Sequence, residues 1–105
     1  MDLDRENSLV LSLVQAMLGA ITPNFRAVFL NCQADGIGLC FVLERDNPED
    51  REEIDDIAFE FSAHQPSKLD FDVCVRVESS PLYELNIPGR MVYARKEEVR
   101  PEKYV

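Results

Sequence analysis

The chain has 105 residues, of which 46% are hydrophobic and 30% are charged, and its formal net charge is −9 at pH 7. This length fits one domain, residues 1–105, with enough apolar side chains for a core that needs no metal or disulfide. The negative charge disfavours nucleic acid as a direct partner, because phosphates repel such a surface.

The cysteines and the N-terminus indicate the compartment. Cys32, Cys40 and Cys74 are odd in number, form no C-x-x-C pair and lie in apolar, strand-like runs. They predict buried free thiols in a reducing compartment. The acidic start differs from the basic start of a signal peptide, and the apolar stretch after it is too short to span a membrane. We expect a cytoplasmic protein without membrane association.

The first periodic segment predicts a helix from about Ser8 to Ile21. Asn7 or Ser8 can cap its start, and Thr22-Pro23-Asn24 ends it. The predicted buried face consists of Val10, Leu13, Val14, Met17, Leu18 and Ile21.

A β-hairpin is predicted next, from the runs Phe25–Gln33 and Ile37–Glu44. A type I′ turn would place Asp35 and Gly36 at its two central positions, and a longer loop would shift the register. With that turn, one face carries Val28, Leu30, Cys32, Ile37, Leu39, Phe41 and Leu43, and the other carries Phe25, Ala27, Phe29, Cys40 and Val42. Because both faces are apolar, we expect a partner or a second copy to cover the outer face, as in a homodimer.

The second helix is the most strongly indicated element. Asn47 is a good N-cap and Pro48 suits the first helical position. The predicted buried stripe is Ile54, Ile57, Ala58 and Phe61.

Two further strands complete the predicted fold. Phe71–Glu78 alternates, with Phe71, Val73, Val75 and Val77 pointing inward, and Arg90–Lys96 forms the last strand. Between them, Ser79–Gly89 is a loop that either folds over an open edge of the core or acts as a recognition loop. The order α-β-β-α-β-β predicts an α+β fold, a four-stranded, mostly antiparallel sheet with both helices packed on one face.

No motif for catalysis or nucleotide binding is present. The sequence contains no Walker loop, G-x-G-x-x-G, H-E-x-x-H or G-x-S-x-G pattern, and its one histidine, His64, cannot support a catalytic triad alone. We expect no enzyme and no cofactor.

The charge is concentrated between Glu44 and Glu60, where nine acidic and two basic residues give a net charge of −7. This segment is open to three interpretations: a solvated face, a site for a divalent cation, or a docking surface for a basic partner. An aromatic side chain among the carboxylates favours docking. The candidate partner-binding residues are Glu49, Glu53, Asp56, Phe59 and Glu60.

In its size, its acidic helix Asn47–Phe61 and its closing strand Pro88–Glu97, the chain resembles the small acidic immunity proteins that bacteria encode beside secreted or contact-delivered toxins. These families are diverse in fold, so the resemblance transfers no residue roles. It implies occlusion of a toxin nuclease by carboxylates that imitate the phosphates of its substrate. The alternative is a homo-oligomeric structural or adaptor domain, suggested by the apolar hairpin. An enzyme or small-molecule binder has the least support.

Overall fold

Two helices and a four-stranded sheet make up the structure, a computed structural model that describes residues 2–97. In chain order the elements are α1 (Leu3–Met17), β1 (Phe25–Gln33), β2 (Gly36–Leu43), α2 (Pro48–Ala63), β3 (Asp72–Val77) and β4 (Arg90–Ala94). A 3-10 turn, Leu82–Glu84, lies between β3 and β4. The predicted α+β fold and the order α-β-β-α-β-β are confirmed.

The sheet has the strand order β3-β2-β1-β4. β1 pairs antiparallel with β2 and with β4, whereas β2 and β3 are parallel. β3 runs parallel to β2 because α2 carries the chain back to the end of the sheet at which β2 began. The sheet is therefore mixed, with two antiparallel pairs and one parallel pair.

The core lies between one face of the sheet and both helices. Its central aromatic contact joins Phe25 and Phe41 edge to face, with ring centroids 6.4 Å apart. Burying one large apolar side chain contributes roughly 1.5–3 kcal/mol. Because the core buries many such side chains, it supplies most of the favourable free energy of folding. The buried members are Leu9, Leu13, Ala16, Met17, Phe25, Val28, Leu30, Ile37, Leu39, Phe41, Leu43, Ile54, Ile57 and Phe61.

The hairpin turn differs from the predicted one. Gln33 pairs with Gly36, so the two loop residues are Ala34 and Asp35. Within residues 2–97 only Gly19 and Gly89 have positive φ, which rules out a type I′ turn. The observed register moves the strands by two residues and keeps the predicted faces. It also gives Phe25 a partner in β2, Leu43, whereas the predicted register would have placed Phe25 opposite Asp46, beyond the end of β2.

A β-bulge at the start of β1 corrects a second prediction. Phe25 pairs with Leu43 and Ala27 pairs with Val42, so Arg26 is an extra residue in β1. The bulge turns Phe25 onto the helix-facing side, and its predicted place on the outer face is wrong.

Arg26 is buried, with 3% of its surface exposed, and each of its three guanidinium nitrogens donates a hydrogen bond. Its Nε and Nη2 donate to the two carboxylate oxygens of Glu97 at 2.8 and 2.9 Å, and its Nη1 donates to the Glu78 carbonyl at 2.7 Å. Arg95 bridges Glu97 and Glu44 at 2.9 and 2.8 Å. The hydrogen bond from Arg26 lowers the pKa of Glu97 below its ordinary value, despite the opposing effect of burial. One guanidinium thus links the segments that follow β3 and β4 to β1.

Helix α1 begins and ends earlier than predicted. Asp2 is its N-cap and accepts a 2.8 Å hydrogen bond from the backbone N–H of Arg5, because acidic residues at the N-terminus suit the helix dipole. The helix ends at Met17, so Leu18 is 74% exposed instead of buried, and Leu9 joins the core.

The outer face of the hairpin is covered by the chain itself. Ala27, Phe29 and Val42 form a second apolar cluster, and the β3–β4 connection packs on it. The covering side chains are Leu82, Leu85 and Ile87. The interpretation of Ser79–Gly89 as a segment that folds over apolar surface therefore holds, although it covers a face and not an edge. The homodimer was expected because this apolar face would otherwise be exposed, and the covering segment removes that reason.

Strand β3 has the predicted alternation but lies at the edge of the sheet. Phe71, which precedes it, stacks edge to face on Phe61 at 5.1 Å, whereas Val73 and Val77 are 43% and 42% exposed. Cys74 is exposed on the outer face, and Cys32 and Cys40 are only partly buried. The prediction of three buried cysteines is therefore wrong for Cys74 and only partly met by the other two. None of the helices within residues 2–97 has the length and hydropathy needed to cross a bilayer.

Replacing Gly89 with alanine is expected to destabilise the fold. Gly89 has φ of +107°, and an added Cβ would lie 2.7 Å from the Leu30 carbonyl oxygen. We expect Gly89→Ala to lower the free energy of unfolding by about 2 kcal/mol. Chemical denaturation measures this, with Gly36→Ala as control because a Cβ there meets no atom within 4 Å. Equal effects of both substitutions would contradict the clash.

Replacing Glu97 with glutamine is expected to leave the buried Arg26 guanidinium without the negative charge and one of the two oxygens that pair with it. We expect Glu97→Gln to lower the free energy of unfolding by about 2 kcal/mol at pH 7. Because the pKa of Glu97 is lowered by folding, this stabilisation is full above pH 4.5, its ordinary value, and declines as the pH falls through the lower folded pKa.

Denaturation curves measured from pH 7 down to pH 3 check this pH dependence. The curves of the wild type and the variant are expected to converge at low pH. The control is Glu84→Gln, since Glu84 is exposed. A difference between wild type and Glu97→Gln that stays constant with pH would contradict the ion pair as its source.

Candidate partner-binding surface

Helix α2 presents all five predicted binding residues. Its start is fixed by Asn47, whose Oδ1 accepts from the backbone N–H groups of Glu49 and Asp50 at 2.8 and 3.3 Å. Burial of Ile54, Ile57 and Phe61 against the sheet directs the opposite side of the helix to solvent. Of the predicted residues, Glu49, Asp56, Phe59 and Glu60 are exposed and Glu53 is partly buried.

Phe59 lies at the centre of the exposed side of α2, with 75% of its surface exposed. Glu52, Asp55 and Asp56 precede it by seven, four and three residues, so these carboxylates lie on the same side of the helix. The prediction missed Glu52 and Asp55 because it followed the flank that begins at Glu49. Helical spacing from Phe59 would have found both. The exposed residues Glu49, Glu52, Asp55, Asp56, Phe59 and Glu60 are hereafter the acidic face of α2.

The carboxylates of the acidic face have no basic partner within the part of the chain that the structure describes: none of its salt bridges includes them. The absence is local, because other carboxylates of the chain are paired with arginines. The acidic face is therefore an uncompensated negative surface around one aromatic side chain.

Three acidic residues of the segment Glu44–Glu60 have internal roles instead. Glu44 pairs with Arg95, and Asp46 pairs with Arg51 at 2.6 Å, which lowers the pKa of Asp46. Asp50 is 3% exposed and is hydrogen-bonded at 2.9 Å. Its partners are Thr22 Oγ1 and Asn24 Nδ2, in the connection between α1 and β1. Of the nine acidic residues of the segment, three thus have internal roles, five belong to the acidic face, and Glu53 is partly buried beside it.

The arrangement suits binding to a positively charged surface and offers little for chemistry. Within residues 2–97, no three His, Cys, Asp or Glu side chains come together in a way that could hold a metal ion. Exposed carboxylates attract a basic partner at long range, and an aromatic side chain at their centre provides apolar contact once the partner has docked.

A second concave feature lies on the outer face of the sheet, between β3 and the β3–β4 connection. It has a volume of about 210 Å³, and its lining includes Phe29, Cys40, Cys74, Arg76 and Ile87. Burial and the neighbouring Cys74 raise the pKa of Cys40 to about 12, so this thiol is protonated at neutral pH and is a poor nucleophile. This groove does not support nucleophilic catalysis by Cys40.

Comparison with known families identifies a match along most of the chain. The sequence model described as MafI2 immunity protein matches residues 6–97. The matched region runs from within α1 to Glu97 and includes the acidic face of α2 and the ion pair between Arg26 and Glu97. A search of curated proteins found none that matches.

Proposed function

We propose, because this chain belongs to the MafI2 immunity protein family, that it neutralises its toxin by binding it through the acidic face of α2. Membership makes the chain an immunity protein, and its partner is a toxin. The surface, the basic character of the toxin and the absence of catalysis are our proposals. The observation that carries them is the group of exposed carboxylates around Phe59, unpaired within residues 2–97.

The exposure of Phe59 supports a role in contact with a partner. The other large apolar side chains of α2, Ile54, Ile57 and Phe61, are at most 2% exposed, so this helix buries its apolar side chains wherever its geometry allows. Phe59 lies on the side of the helix that the fold cannot cover. Aromatic side chains surrounded by a polar rim are typical of residues that dominate the free energy of binding at an interface.

The sign of the charge supports a basic partner. Opposite charges accelerate encounter and select the correct orientation, and like charges reject other acidic surfaces. A protein that binds nucleic acid carries basic residues where it contacts phosphates. The acidic face would occupy such a site on a toxin nuclease, with carboxylates in the place of phosphates and Phe59 filling an apolar position between them.

Truncation of Phe59 is expected to weaken toxin binding by about 2 kcal/mol, close to thirtyfold in Kd. Calorimetric titration against the toxin domain that this chain neutralises measures the change. Tyr83→Ala is the matched control, because Tyr83 is 77% exposed on the 3-10 turn and lies outside the acidic face. Equal affinities of the Phe59→Ala and wild-type chains would contradict the role of Phe59.

Reversal of three charges on the acidic face is expected to weaken binding much more than reversal of three charges elsewhere. The test variant carries Lys at Glu52, Asp56 and Glu60, and the control variant carries Lys at Asp35, Asp70 and Glu84, which are also exposed. Both variants have the same net charge, so a difference between them reports position.

The salt dependence of binding provides a second readout for the same two variants. Wild-type affinity is expected to fall as salt increases, because salt screens exposed charges. The variant reversed on α2 is expected to bind at least about a hundredfold more weakly than the control variant and to lose this salt dependence. Equal weakening by both variants would reduce the effect to net charge and contradict a specific surface on α2.

A further inference from the structure

The free edge of β3 lies outside the acidic face of α2, which is the proposed toxin-binding surface. β3 pairs with β2 on one side only, and within residues 2–97 no strand pairs with its other side. The ladder between β2 and β3 is regular from Asp72 to Val77, without the bulge that commonly protects an edge strand. Val73 and Val77 are 43% and 42% exposed there, so the edge carries apolar side chains as well as unpaired backbone groups.

The direction of the backbone groups along β3 follows from one hydrogen bond. The N–H of Glu78, directly after the strand, donates to the Leu43 carbonyl of β2 at 2.9 Å. Because alternate residues of a strand direct their N–H and C=O groups to opposite sides, Asp72, Cys74 and Arg76 point theirs toward β2. Val73, Val75 and Val77 therefore present their N–H and C=O groups at the free edge.

The side chains alternate in the same way. Asp72, Cys74 and Arg76 lie on the outer face of the sheet, where all three line the groove described above. Val75 packs against the helix-facing core. The outer face of this strand thus carries an acidic residue and a basic residue on either side of a cysteine, with equal spacing.

This spacing is complementary to itself. When two such strands lie antiparallel with Cys74 opposite Cys74, Asp72 of each lies opposite Arg76 of the other. In that register Val73 lies opposite Val75, and these residues carry the edge-facing backbone groups, so they form hydrogen-bonded pairs. The charged pairs then occupy non-hydrogen-bonded positions, where opposite side chains are closest. The direction of the backbone groups, the faces of the side chains and the pairing of opposite charges are therefore all compatible with this register.

We propose that the free edge of β3 pairs antiparallel with β3 of a second copy, with Asp72 opposite Arg76 of that copy, to form a continuous eight-stranded sheet. Arg76 is already held by Glu78, to which its Nη2 donates at 2.8 Å, and its remaining guanidinium N–H groups are available for Asp72. The interface is a short strand pair, so the dimer is weak and depends on concentration. It uses different residues from the acidic face of α2 and does not depend on the proposed function.

Sedimentation velocity over a concentration series tests the pairing, at about 0.15 M salt so that repulsion between two chains of net charge −9 is screened. We expect a reversible monomer–dimer equilibrium in the wild type. Asp72→Arg places arginine opposite arginine twice, and we expect it to weaken dimerisation by at least about tenfold. Arg76→Asp is expected to do the same by placing aspartate opposite aspartate.

An equimolar mixture of these two variants tests the register itself. In the heterodimer, every charged position again faces its opposite, so dimerisation is expected to return to near the wild-type level. Circular dichroism of each variant alone establishes that it is folded. A wild-type chain that stays monomeric at every concentration overturns the proposal and leaves the edge to a different partner. A dimer that Asp72→Arg does not weaken, or folded variants that do not associate when mixed, also overturns it.

Cross-linking provides an independent readout of the same register. In a Cys40→Ala variant, which removes the neighbouring thiol of β2, oxidised glutathione is expected to convert two Cys74 thiols into one intermolecular disulfide, with release of two molecules of reduced glutathione. Peptide mapping identifies the bond, and Asp72→Arg in the same background is expected to slow its formation. A dimer linked through Cys32, or an equal rate with Asp72→Arg, contradicts the proposed pairing.

Discussion

The buried guanidinium of Arg26 is the interaction on which the arrangement of the sheet depends. A charge with 3% exposure is tolerable only when its hydrogen bonds are satisfied, and Glu97 and the Glu78 carbonyl satisfy them. These two partners follow β4 and β3, the strands at opposite edges of the sheet. The β-bulge that admits Arg26 also turns Phe25 into the core. One inserted residue therefore sets the packing at this end of β1 and the paths of both edge strands.

Two groups of acidic residues in the chain have different physical roles. Glu97, Glu44 and Asp50 form hydrogen bonds to side chains of other elements, so they determine how the elements meet. The carboxylates of the acidic face lie on one helix, outside every salt bridge of the described chain. Like charges one helical turn apart repel, so the carboxylates of the acidic face make this helix less stable than neutral side chains at the same positions would. The proposed basic partner would relieve that repulsion on binding.

Periodicity and local capping signals predicted the fold class and the element order, because both depend on short-range patterns. Helix α2 was predicted to its first residue, since Asn47 and Pro48 act within one turn. The interactions that were missed join residues far apart in the chain: Arg26 with Glu97, and Asp50 with Thr22. The sequence placed all five candidate binding residues on this helix, where the structure has them, and their role in binding stays a prediction. It did not predict that Glu53 is partly buried or that Asp50 is buried and structural.

Separation of the fold from the surface also has a consequence for how this family diversifies. The side chains of the acidic face make no salt bridge to the rest of the described chain, so we expect substitutions there to leave the core, the bulge and the strand order unchanged. With the proposed binding surface on this helix, a change in the binding site of the toxin can be matched by substitutions on one exposed helix of the same fold. The core and the proposed binding surface can therefore evolve at different rates within the same small domain.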